Sequence, residues 1–112
     1  MKDIVLYCKS YRRDLLRLKR LLESIEKFNQ DKIPFYISTP RSDKEDLIDL
    51  LGIRESYIWV SDEEIVGSNP DASLSLYRVM PGSLSQAIIK SEFWRLGISE
   101  NYLCLDSDCV FI

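Results

Sequence analysis

The opening segment Asp3-Ile-Val-Leu-Tyr-Cys-Lys9, followed by Ser10-Tyr-Arg-Arg-Asp-Leu-Leu-Arg-Leu-Lys-Arg-Leu-Leu-Glu-Ser-Ile-Glu-Lys-Phe28, decides the fold class. Ile4 to Cys8 run almost continuously apolar, the pattern of a strand covered on both faces of a sheet. From about Tyr11 the period changes. Leu15, Leu18, Leu22 and Ile25 recur at helical spacing, joined by Leu21 and Phe28, while Arg17, Lys19, Arg20, Glu23 and Lys27 take the other positions. A covered strand running into an amphipathic helix begins a β–α–β unit, with Ser10 as the expected N-cap.

The alternation continues. Ile33-Pro-Phe-Tyr-Ile-Ser-Thr39 reads as a second strand, closed by Pro40. Ser42 and Asp43 open a second helix to about Leu51, with Leu47, Ile48, Leu50 and Leu51 on its apolar side and Gly52 as its stop. Tyr57-Ile-Trp-Val60 is a third strand. Residues 61–82 carry Gly67, Asn69-Pro70 and Pro81-Gly82 with little sustained periodicity, so a long connection is expected there. Ser83 to Leu96 is a third helix ended by Gly97. Tyr102 to about Leu105 is a fourth strand, with room to continue through Asp106 and Asp108 to Ile112.

This order implies one α/β domain over residues 1–112 with a parallel sheet and right-handed crossovers. The expected architecture is Rossmann-like: about four mostly parallel strands in the order 3-2-1-4, flanked by three helices. Ligands of such sheets collect beyond the carboxyl ends of the strands, where strand order reverses. Lys9-Ser10-Tyr11 and Asp106-Ser107-Asp108 follow the first and fourth strands. If those strands are neighbours, a basic segment and an acidic pair face one crevice.

Composition excludes several classes. Hydrophobic residues make up 46% and charged residues 29% of the 112, an ordinary globular balance. A net charge of −3 argues against general nucleic-acid binding. No stretch approaches the roughly 20 apolar residues of a membrane span, and the start has no secretory pattern. Cys8, Cys104 and Cys109 are an odd number without paired spacing, which fits reduced thiols and a cytoplasmic location. With no histidine, Cys–His zinc sites and Ser–His–Asp or Cys–His catalysis are excluded.

The chemistry therefore falls to carboxylates, cations and tyrosines. Asp106 and Asp108 interrupt an apolar strand, a costly placement unless something pairs with them or the strand has left the core. Where the chain bends, both can reach one hard cation, Mg²⁺ or Mn²⁺, and so hold a metal–diphosphate. Solvated turn carboxylates or an N-cap are the alternatives. Lys9, Arg12, Arg13 and Arg17 oppose the dipole of the first helix, which makes sense beside a bound phosphate; a solvated basic helix face is the plainer reading. Gln86 and Lys90 share a helix face, which suits one as a donor to phosphate or sugar oxygens and the other as an exposed solubilising residue. Among the aromatic residues, mostly expected in packing, Tyr11 is the candidate to stack on a nucleobase.

Three segments together resemble the nucleotide-binding half of a GT-A-type glycosyltransferase. Asp3 to Asp14 with the helix after it is similar to the first strand and helix of that fold. Pro81-Gly-Ser-Leu-Ser-Gln-Ala-Ile-Ile-Lys90 is similar to the segment leading into the helix before the metal motif. Tyr102-Leu-Cys-Leu-Asp-Ser-Asp108 is similar to the strand ending in the family's Asp-x-Asp. The combination of Gln86, Lys90 and the acidic strand resembles a group of poorly characterised bacterial glycosyltransferase-like proteins. The resemblance implies a nucleotide-sugar donor, an acceptor hydroxyl and Mn²⁺ or Mg²⁺. It makes Asp108 the direct metal ligand and Asp106 a contact to ribose, sugar or ion-bound water. It sets Lys9, Ser10 and Tyr11 around the base, with Arg13, Gln86 and Lys90 as further donor contacts.

Enzymes of that type continue well past the Asp-x-Asp, so the 112 residues are expected to be the donor-binding part of a longer enzyme. Weak metal and nucleotide binding with little turnover is expected of them alone, and self-association through an exposed edge strand. Leu103-Cys-Leu-Asp-Ser-Asp-Cys-Val110 also resembles the nucleophile motif of haloacid-dehalogenase-type phosphatases, although that motif normally opens its fold. A non-catalytic α/β interaction module is the third reading.

Overall fold

The computed structural model describes residues 2–67, 89, 90 and 92–106. Strands β1 (Lys2–Lys9), β2 (Phe35–Thr39), β3 (Ile58–Ser61) and β4 (Ser99–Cys104) form one sheet in the order β3-β2-β1-β4. Every pairing is parallel. The expected order and direction of the strands are therefore observed, and the fold is Rossmann-like.

Period-two alternation along β1 divides the interior into two cores. Leu6 and Cys8 face helix α1 (Leu15–Phe28) and helix α2 (Lys44–Leu51), joining Leu15, Leu18, Leu21, Leu22, Ile25, Phe35, Ile37, Leu47 and Leu51. Val5 and Tyr7 face the other layer, with Ile65 and Val66 of helix α3 (Asp62–Gly67), Ile89 and Phe93. Val5, Tyr7 and Cys8 are fully buried. That two-sided coverage is why the opening segment reads as unbroken apolar sequence. Fully burying each large aliphatic side chain of the α1 stripe contributes about 1.5–3 kcal/mol. Leu16, on the opposite side of α1, stays exposed.

Several boundaries differ from expectation. Residues 61–82 were expected to lack regular structure, but their described part contains α3, whose two apolar residues are too few to register as a period. Helices α1 and α2 are each entered through a 3₁₀ turn, Arg12–Asp14 and Arg41–Asp43. Ser10 does not cap α1; Asp14 occupies that position without a side-chain cap bond. β4 begins at Ser99, three residues before its expected start. In the third expected helix, residues 89, 90 and 92 are helical and Phe93–Leu96 forms a 3₁₀ turn. Its start at Ser83 and the strand beyond Asp106 lie outside the described residues. Gly52 and Gly97 end their segments at φ +76° and +67°, conformations that L side chains rarely adopt. Among the described residues, no helix is long and apolar enough to cross a membrane.

Candidate functional site

The crossovers α1 and α2 pack on one face of the sheet, whereas α3 and the residues Ile89, Phe93 and Leu96 pack on the other. Strand order reverses between β1 and β4, so the switch-point crevice lies beyond their carboxyl ends. Tyr7 pairs with Cys104, and the Leu105 amide donates to the Tyr7 carbonyl at 2.8 Å. Continued by two residues, that register sets Asp106 level with Lys9.

An aromatic cluster determines what stands over Asp106. Phe93 stacks on Tyr7 with centroids 3.9 Å apart and meets Tyr102 edge-on at 5.0 Å. The Tyr102 hydroxyl donates to the Lys90 carbonyl at 2.6 Å. These contacts seat the helical segment on β1 and β4, and Lys90 Nζ comes to 3.3 Å from Asp106 Oδ1. The Asp106 side chain keeps 68% of its exposure and that of Lys90 27%. Two residues singled out separately in the sequence are thus in contact.

Lys9 is turned inward. Its Nζ lies 2.8 Å from Asp62 Oδ2, with both side chains at 0% exposure, and donates to the Ser10 carbonyl at 2.7 Å. The same ammonium sits 3.5 Å from the centroid of the Tyr11 ring. Burial pulls the Lys9 pKa below the ordinary lysine value, and the Asp62 carboxylate opposes that shift. Burial also pushes the Cys8 thiol up to about 12, against the nearby Lys90 charge. Ser10 is buried, and its Oγ has no hydrogen-bond partner among the described residues.

Carboxylates from one strand end serve the turn after another. Neither 3₁₀ turn is capped by its own leading residue. Instead, Asp43 Oδ2 accepts from the Arg12 amide at 2.9 Å, and the Glu63 carboxylate accepts from the Arg41 amide at 3.1 and 3.2 Å. Asp43 follows β2 and serves the turn after β1; Glu63 follows β3 and serves the turn after β2. A carboxylate therefore already occupies the first amide of the turn entering α1, the place where a bound phosphate was one of two readings. Arg12 pairs with Asp46 at 3.1 Å, and Arg13 and Arg17 lie 3.9 Å from Asp14.

The sequence from residue 3 to residue 112 matches one family model. The chain belongs to that family, described as "Family of unknown function (DUF6492)". Compared with curated proteins and with solved structures, the chain matches nothing. Membership in this family thus brings no assigned chemistry.

For this family member, the crevice brings together Asp106 and Lys90, with Ser10 and Tyr11 directly after the neighbouring strand β1. Tyr11, Arg12, Arg13 and Asp43 line an open hollow of about 690 Å³ beside them. Asp108 and Gln86 lie outside the described residues. Among the described residues, no group of three or more His, Cys, Asp or Glu stands ready to hold a metal ion. Asp106 still fits a hard cation: it is an oxygen donor, largely open to solvent, at a strand end. Mg²⁺ commonly takes one or two carboxylates and completes its shell with water and phosphate.

Sequence reasoning missed Asp62, Asp43 and Glu63. Asp62 shares one signal with Asp106, a carboxylate directly after an apolar strand. Its partner stands 53 positions earlier, and no local pattern announces the pairing.

Proposed function

We propose that this chain binds the diphosphate of a nucleotide-sugar through a divalent cation, as the donor-binding part of a GT-A-type glycosyltransferase. The observation that carries the reading is the parallel β1–β4 pairing, which sets Asp106 and Lys90 at the switch point beside Ser10 and Tyr11. In this reading Asp106 and Asp108 hold Mn²⁺ or Mg²⁺. Bound there, the cation offsets charge on the diphosphate as it leaves and the sugar passes to an acceptor hydroxyl.

The chain's own groups divide the remaining work. Lys90 donates to phosphate oxygens, and its contact with Asp106 keeps it at the metal side of the crevice. Tyr11 flanks the base in the hollow lined by Arg13 and Asp43, where Arg13, exposed, is free to follow the ligand. Gln86 serves the sugar or phosphate. The Asp43 carboxylate at the Arg12 amide favours a diphosphate near Lys90 over one at the start of α1.

Thermal unfolding with Mn²⁺ plus a nucleoside diphosphate tests the reading. At a ligand concentration of about 100 Kd, linkage stabilises the native state by about 2.7 kcal/mol. The midpoint is expected to rise for the wild type and not for Asp108→Ala. No rise in the wild type would favour a non-catalytic module.

A further inference from the structure

We propose that the buried Lys9–Asp62 pair is the positioning device of the crevice: it fixes the Tyr11 ring and thereby the face on which a planar ligand group stacks. The idea that such a group is a nucleobase rests on the functional reading above; the positioning of Tyr11 does not.

A single ammonium holds three elements. Lys9 Nζ reaches Asp62 at 2.8 Å, the Ser10 carbonyl at 2.7 Å and the Tyr11 ring at 3.5 Å from its centroid. It thereby links the end of β1, the start of α3 just past β3, and the turn entering α1. A fully desolvated ion pair is seldom the most stable filling of its volume, and an apolar pair of similar size is often as good or better. What an apolar pair cannot reproduce is a cation centred over an aromatic face.

The geometry has a directional consequence. With Lys9 Nζ against one face of the Tyr11 ring, a stacking partner is restricted to the opposite face. The cation also draws electron density away from that opposite face, which suits an electron-rich ring. Lys9 then acts through Tyr11 and touches no ligand itself. Arg13, with its guanidinium carbon 5.9 Å from the same centroid, adds a second and looser cation.

Two measurements test this on the full 112-residue chain. The first needs no ligand. Nuclear Overhauser contacts between the Lys9 Hε and Tyr11 ring protons are expected in the wild type, and a Tyr11 ring moving freely of Lys9 would overturn the proposal. The second compares Lys9→Met, Asp62→Leu and the combined K9M/D62L with wild type for Mn²⁺–nucleoside diphosphate binding and for urea stability. The double variant is expected to recover most of the stability lost by either single one, while binding stays at least tenfold weaker than wild type. Binding that recovers together with stability would make the pair a structural filler and sink the idea. Wild-type chain that binds no nucleoside diphosphate would refute the functional reading, and the ring contacts would still decide the positioning of Tyr11.

Discussion

Lys90 Nζ and Asp106 Oδ1 stand 3.3 Å apart across the junction between the last helical segment and the end of β4. The pair lies at the switch point, at the protein's surface, and its two members are unequally exposed. An exposed ion pair of this kind contributes about 0–1 kcal/mol to stability. Conservation of the fold does not depend on it. Lys90→Met is therefore expected to leave the urea midpoint nearly unchanged while weakening Mn²⁺–nucleoside diphosphate binding at least fivefold. Calorimetric titration alongside a denaturation curve checks both halves.

Phe93 carries the segment that presents Lys90. It is 1% exposed and stacked on Tyr7. Phe93→Ala is expected to cost about 3–5 kcal/mol, from lost burial and the cavity left behind. Ligand binding should fall as well, although the substituted side chain is remote from solvent, because the seat of Lys90 is lost. Urea unfolding followed by tryptophan fluorescence gives the first number.

Breaking the Lys9–Asp62 pair leaves one buried charge without its partner. Lys9→Met and Asp62→Leu are each expected to destabilise by about 3–5 kcal/mol. The pH dependence has a definite sign. The folded-state pKa of Lys9 is lowered, chiefly by burial. Between that lowered value and about 10.5, the unfolded chain binds more protons at this site than the folded one. The contribution of Lys9 to stability therefore rises with pH across that window and is flat below it. Urea midpoints of wild type and K9M/D62L, compared from pH 7 to pH 10, should diverge in the wild type's favour at the alkaline end.

The two described cysteines should behave differently towards a thiol reagent. Cys8 is buried and its thiol is pushed up to about 12, whereas Cys104 is exposed with a smaller upward shift, also from burial. In a Cys109→Ser background at pH 8, Ellman's reagent is expected to label Cys104 slowly in the folded protein. Cys8 should react only after unfolding. Two fast equivalents in native buffer would contradict the placement of Cys8 between β2 and β4.

The architecture was legible wherever a whole element shares one environment. β1 is covered on both faces and α1 on one, so their apolar patterns carry the information without help from distant residues. The parallel direction of the strands followed from the alternation of elements, whereas the adjacency of β1 and β4 was a condition that the observed order meets. The contact between Lys90 and Asp106 was not legible: each was singled out separately, and Lys90 lies in the middle of its expected helix, where no local pattern says which strand end its side chain reaches. Asp62 was not legible: a carboxylate after a strand looks the same in sequence whether it meets solvent or a lysine 53 positions away. Ser10 misled for a related reason. A serine before a helix is an adequate cap, but here Asp43 from the neighbouring turn supplies the acceptor at the Arg12 amide. The short helix α3 escaped because six residues with two buried aliphatics do not establish a period.

In the proposed function a cation and its diphosphate sit at the carboxyl ends of β1 and β4. Paramagnetic broadening by Mn²⁺ tests it most directly. With the nucleoside diphosphate present, substoichiometric Mn²⁺ is expected to bleach the amide signals of Tyr7 to Tyr11, Lys90 and Asp106. Signals from Gln30 to Ile33 and Ile53 to Tyr57, before the amino ends of β2 and β3, should stay sharp, and Mg²⁺ should bleach none. Broadening centred on those amino ends, or spread evenly over the acidic surface, would contradict this placement.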